Sequence, residues 1–250
     1  LLLHKIGLAH RNIRLEHYLV VLFLFLTFYA ALLTPFLGWI DVPSLTMKHG
    51  FFIVLIILVA VIWNYFYFLA IKSEHMNLVE NILSLSPMTT ILVAWIFSPQ
   101  SFDLRIAVLA LIVTIAIIWG YWHKHKLQLS KSAKLLLISV IFMSVENVLV
   151  GMVLQEEVIA PVTLFAIRTG SIALFFVWFF RKSHVLQMGK RHLGFMAVIG
   201  AIGTAMMLLR FYGLRDSGII YTSFVLVLVP FMVLVGSSIC LVSKISSDIR

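Results

Sequence analysis

Apolar runs of about twenty residues, parted by short polar breaks, recur from one end of this chain to the other. Eight are complete, at about 18–37, 51–71, 78–98, 104–122, 135–155, 160–180, 192–214 and 219–242. Each can cross the roughly 30 Å hydrocarbon layer of a bilayer as a helix. None shows the sustained alternation of a barrel strand, and in lipid the helix is then the remaining way to satisfy the backbone. Residues 1 to about 8 read as the tail of a further span. The breaks are mostly short. Thr34 to Gly50, with Pro35, Gly38, Asp41 and Pro43, reads as a turn-rich loop, and Ser73 to Asn77 as the tight turn of an antiparallel hairpin. His123 to Lys134 is the most polar stretch and reads as a linker.

One pair of helices occurs twice in this pattern. Phe68, Leu69, Ala70, Ile71 and Lys72 are followed by Leu83, Ser84, Leu85, Ser86 and Pro87. Phe211, Tyr212, Gly213, Leu214 and Arg215 are followed in the same way by Leu226, Val227, Leu228, Val229 and Pro230, at a constant offset of 143 residues. Two such halves predict an all-α polytopic membrane protein built from an internal repeat, with a substrate site between the halves, as in a transporter.

Composition agrees. Hydrophobic residues make up 62% of the chain and charged residues 12%, with a mean hydropathy of +1.08. A soluble domain could not hide that much apolar surface. The formal charge of +9 does not point to nucleic acid, because the basic residues cluster between apolar runs, where they act as topology determinants facing anionic lipid. Links on one side of the predicted membrane hold 14 Lys and Arg, against Lys48, Arg105 and Arg215 on the other, so the positive-inside rule places the first set in the cytoplasm. Cys240, the single cysteine, excludes an intrachain disulfide framework.

The polar residues left inside spans are the candidates for function. Glu146, beside Asn147, sits near the middle of its span, where a carboxylate costs about 2.5–3.5 kcal/mol on insertion scales and must face a cavity, find a partner or be protonated. Arg168 is too deep to snorkel and needs a carboxylate, a carbonyl or an anionic substrate. Glu146 and Glu80 are both available to it. Glu80, Ser84 and Pro87 share a helix face by their spacing, as do Asn64 and Tyr67. Arg210, which the repeat offset matches to Tyr67, lies within a turn of its span's end and reads as a snorkelling residue or a cavity contact. Tyr221, Thr222 and Ser223 open the last complete span as further polar contacts. Pro87 and Pro230 must kink or break their helices, freeing a carbonyl. Gly200, Gly203 and Ala205, with Ser237 and Ser238, read as close-packing positions. All nine histidines lie in loops or at span ends; His123 and His125 make a weak metal pattern, and neither an intramembrane metal site nor a phosphate loop is visible. No cofactor and no catalytic residue is expected.

The duplicated pair, with an aromatic-rich helix ending in a short Ala-Leu/Ile-Lys/Arg turn and then Leu83 to Pro87, resembles the EamA-like branch of the drug/metabolite transporter (DMT) superfamily. Ala166, Ile167, Arg168 and Thr169 are similar to the Ala-Leu-Arg element in the second helix of each family repeat. The resemblance covers nearly the whole chain. It implies a ten-helix fold of two inverted five-helix repeats around a central cavity. Residues 1–122 would then hold the end of helix 1 and helices 2 to 5, 123–134 the linker, and 135–250 helices 6 to 9, with helix 10 largely absent. Ser98, Pro99 and Gln100 replace the glycine-glutamate that usually ends helix 4, Ser243 and Lys244 stand at the site after helix 9, and the charge bias opposes the family's usual orientation.

The implied activity is secondary transport of a small organic metabolite or drug-like solute across the plasma or inner membrane by alternating access, and not enzymatic turnover. Glu146, in the first helix of the second repeat, would be the proton-linked or substrate-amine site, as the coupling glutamate of the four-helix members lies in their first helix. Arg168 would be its structural counter-charge. Proton coupling and a homodimer are both compatible with this reading. The alternative is a non-catalytic membrane subunit of a lipid-linked-sugar flippase or similar assembly.

Overall fold

The computed structural model describes residue 4 and residues 14–74, 76–97, 104–122, 130–180 and 190–226. Helix accounts for nearly all of them. We number the helices α1 (Leu15–Leu37), α2 (Met47–Ser73), α3 (Met76–Leu83), α4 (Ser86–Phe97), α5 (Leu104–Trp122), α6 (Lys131–Gln155), α7 (Pro161–Phe179), α8 (Lys190–Asp216) and α9, described over 218–226. Five of these, α1, α2, α6, α7 and α8, are long and apolar enough to cross a membrane. Their exposed faces carry large apolar side chains such as Phe28, Phe36, Leu58, Ile141, Leu174 and Leu209, as expected where lipid is the solvent.

Helix limits follow local chemistry. α1 runs through Pro35 to Leu37, so the loop begins at Gly38, four residues later than expected. It is shorter too, because Thr46 starts α2: its N–H donates to His49 Nδ1 (3.0 Å), a side chain closing the first turn from within. Ser130 caps α6 by accepting from the Ala133 N–H (3.0 Å). The run predicted at 78–98 is two helices. Leu85 N–H falls back to the Ile82 carbonyl (3.2 Å), and Pro87 has no N–H to offer Leu83, so the ladder fails at Ser84 and Leu85. Pro230 lies outside the described residues, as do the predicted linker up to Gln128 and Leu129 and most of the last span.

The start of α2 and the end of α6 lie together, because Lys48 and His49 both reach Glu156. At the other end Ser73 Oγ donates to Ser132 Oγ (2.8 Å) and Ser130 donates to Glu74. α2 and α6 therefore run antiparallel and are tied at both ends. α1 and α7 form a second antiparallel pair: Phe23 meets Phe176 edge-on (5.5 Å between centroids), and the chain beyond α1 bonds to the chain before α7 through Asp41 N–H to Val158 O and Ala160 N–H to Trp39 O, both 3.0 Å. α8 lies against α1 and α6, and α4 against α6.

α8 approaches α1 closely through Gly200, where an added Cβ would stand 2.7 Å from Phe25 Cβ. Gly203 is similar, facing Leu26, whereas Ala205 is exposed. Ser237 and Ser238 lie outside the described residues. The turn from α8 into α9 uses Gly218 at φ +80°, a backbone region that L side chains rarely occupy.

α2 and α8 are both 27 residues long, and both their first and their last residues are separated by the offset found in the sequence. They also run in opposite directions, since α8 ends beside Gln155, where α2 begins.

Candidate functional site

Glu146 and Arg168 meet. Glu146 projects from α6 and Arg168 from α7, each almost wholly buried at 3% and 2% exposure. Arg168 Nε donates to Glu146 Oε1 and its Nη2 to Oε2 (3.2 Å), the two-pronged geometry that suits a guanidinium to a carboxylate. Trp63, from α2, donates its indole N–H to Glu146 Oε2 and sets its ring 5.9 Å from the Arg168 guanidinium carbon, within cation–π range. Three helices thus converge on one carboxylate, and both of its oxygens are engaged. The Trp63 carbonyl accepts from Ser139 Oγ (3.1 Å), a further link between α2 and α6.

Arg210 of α8 belongs to the same neighbourhood. It is half-buried, lies within electrostatic reach of both Glu146 and Arg168, and its Nε is sealed from solvent without a hydrogen-bond partner. Depth along the helices agrees. Glu146, Arg168 and Arg210 stand nine, seven and six residues from the ends of α6, α7 and α8 that lie together, or about 14, 11 and 9 Å in. Arg210 thus stands near the depth of the pair with its Nε sealed, while the residue as a whole stays half-buried.

A second polar patch lies on the α4 side of α6. The Ser86 carbonyl beside the helix break accepts from Thr89 Oγ1 (2.9 Å), Thr90 Oγ1 (2.8 Å) and Ser144 Oγ (3.3 Å). Asn147 Nδ2 donates to Thr90 Oγ1 (3.3 Å). Asn147 is thus drawn to α4 and away from Glu146's partners, and the carbonyl beside the break is covered by hydroxyls.

The remaining candidates disperse. Asn64 is buried but donates to Ala60 O on its own helix (2.8 Å). Tyr67 stacks edge-on against Trp63 (5.8 Å) and Phe68 (4.9 Å). Ser84 and Pro87 are buried while Glu80 is exposed. Tyr221 is 56% exposed, and its neighbours Thr222 and Ser223 are buried. Among the described residues no group of three or more His, Cys, Asp or Glu could hold a metal ion.

Two features escaped the sequence reading. Trp63 was passed over beside Asn64 and Tyr67, although an indole N–H in an apolar span needs an acceptor. Replacing it with Phe keeps most of the ring and removes the donor. A loss of about 1.5 kcal/mol is expected, where the ranges for bonds to charged groups and for interhelical bonds in membranes meet. Thermal unfolding in detergent, in a cycle with Glu146→Gln, reads the coupling.

The other is the latch between α2 and the α6–α7 turn. Glu156 accepts from Lys48 Nζ (2.8 Å) and from His49 Nε2 (2.5 Å). Because His49 Nδ1 accepts from the Thr46 N–H, the imidazole donates through Nε2 as a neutral ring. The Lys48 and then the His49 hydrogen bonds hold the Glu156 carboxyl below its ordinary value of 4.5. A depressed folded-state pKa contributes stability above the unfolded value and loses it as pH falls through the folded one. Wild type should exceed Glu156→Gln in thermal stability at pH 7, and the gap should close in strong acid. The expected gap is small, since Glu156 is 41% exposed. An equal gap at both pH values would contradict the latch.

No protein-family model and no curated protein matches this chain.

Proposed function

We propose that this protein is a secondary active transporter of the EamA-like drug/metabolite type, which moves a small organic solute by alternating access through a ten-helix inverted repeat. The observation that carries the reading is the buried Glu146–Arg168–Trp63 cluster. It joins three membrane-spanning helices at one depth, where a charge is expensive and serves best as part of a pathway or a switch. The equal lengths and opposed directions of α2 and α8, at the offset of the sequence repeat, support the inverted repeat.

The helix pairing suggests how such a protein would move. α2 and α6 are tied at both ends and at Trp63, so they travel as one body. α7 is joined to that body through Arg168, and α1 follows α7 through the paired chain segments at 39–41 and 158–160. Breaking the Glu146–Arg168 pair, by protonating the carboxylate or by a substrate competing for the guanidinium, frees the α1–α7 pair to rock against α2–α6. Both arrangements must be close in energy for the cycle to run.

The test is flux in liposomes holding the full-length protein, challenged in turn with pooled amines, amino acids, nucleosides and organic acids, with pH and labelled solute followed together. Saturable uptake from one pool supports the reading, and a coupled proton current identifies the driving ion. Silence from every pool overturns it.

A further inference from the structure

The charges of the cluster do not cancel. Glu146 is one carboxylate, and two guanidinium groups, Arg168 and Arg210, interact with it. Arg168 takes both of its oxygens. Arg210 is left with a buried Nε that bonds to nothing. Eight of the chain's ten acidic residues are described, and among them only Glu146 is in electrostatic reach of Arg210. Of the others, Asp216 is engaged with Arg215, Glu156 with Lys48, Asp41 with Ser44 and Glu74 with Ser130.

A guanidinium cannot shed its charge to relieve this, as a lysine ammonium would. A half-buried cation whose nearest carboxylate is already held by a second arginine, and whose sealed Nε has no acceptor, calls for an anion that comes and goes. A second unpartnered donor lies close by. The Thr222 hydroxyl is buried and unbonded, and Thr222 packs against Gly213, one turn along the face of α8 that carries Arg210.

Resting on the transporter reading above, we infer that Arg210 is the substrate-recognition residue and that the substrate is a small organic oxyanion, a carboxylate or a phosphate ester. Its negative charge completes the neutralisation that Glu146 begins, and the planar fork of Arg210 is matched to two oxygens. Thr222 supplies a further donor. The carboxylate of Glu146 then excludes a second negative charge unless the substrate brings a proton with it.

The experiment uses liposomes with the full-length protein and four labelled pools: carboxylates, phosphate monoesters, amines and neutral nucleosides. Uptake is expected from one of the first two, and which one identifies the oxyanion. Arg210→Gln should lower it at least tenfold, Arg210→Lys should keep a measurable part, and the same anion should raise the melting temperature of wild type but not of Arg210→Gln. Uptake confined to amines or nucleosides overturns this inference and leaves the transporter standing. Uptake from no pool removes both. Arg210→Gln should itself fold, with a melting temperature no lower than wild type. If it unfolds, or if it carries the anion at the wild-type rate, Arg210 is structural or idle and the inference is wrong.

Discussion

Glu146→Gln should lower the stability of this protein by about 3–5 kcal/mol, the cost of breaking a buried ion pair and leaving its partner charged. Two cations would be stranded: Arg168, which bonds Glu146 and lies over Trp63, and Arg210, on which the Glu146 charge also acts. Arg168→Met should cost a comparable amount by the reverse argument, since the Glu146 carboxylate would keep only the Trp63 N–H and the more distant Arg210. The informative comparison is the double variant Glu146→Leu with Arg168→Met. Replacing a buried ion pair with apolar side chains of similar size is often neutral or stabilising. The double variant should therefore recover most of the loss, with Arg210 keeping it somewhat below wild type. Thermal unfolding in detergent measures all three. Additive losses in the double variant would mean that the two residues are stabilised separately and that the pair is not the unit.

Gly200→Leu should destabilise by about 1–3 kcal/mol, the usual cost of forcing extra volume into a packed contact. The added Cβ alone meets Phe25 Cβ at 2.7 Å, with the Phe25 backbone and Tyr29 ring behind it at 3.5 Å. Phe25 Cβ is anchored to its own backbone and cannot swing away, so α8 must separate from α1. Gly194→Leu is the control, since nothing lies within 4 Å of a Cβ there, and it should unfold as wild type does. Equal melting temperatures for the two variants would contradict the close α1–α8 contact.

These effects mark the boundary between what the sequence discloses and what it withholds. Long apolar helices were legible because lipid leaves an apolar run little choice of backbone. α2 and α8 keep the same length at the offset of the sequence repeat, while Pro230 and most of the helix after α8 lie outside the described residues. That Glu146 and Arg168 need partners also follows from depth alone. Who those partners are does not, because it depends on how α6 and α7 rotate about their axes once packed. Trp63 is 83 residues from Glu146 and reaches it only because α2 and α6 lie side by side. Asn147, next to Glu146 in sequence, points to α4 instead, since adjacent helix positions face different neighbours. Arg210, six residues from a helix end, can snorkel or turn to a cavity, and its half-buried side chain with a sealed Nε is a detail of packing that depth alone does not disclose. Pro87 signalled an interruption. Beside it the Thr89, Thr90 and Ser144 hydroxyls cover the Ser86 carbonyl, and the Ser144 bond depends on how α4 packs against α6.

In the proposed transporter the Glu146–Arg168 pair works in transport and does more than hold helices together. The measurement that tests it most directly is solute uptake by the Glu146→Leu, Arg168→Met double variant in liposomes, beside wild type and at matched amounts of folded protein. Wild type is expected to transport, and the double variant, though folded, is not. Uptake by the double variant at the wild-type rate would show the pair to be structural and would contradict the mechanism.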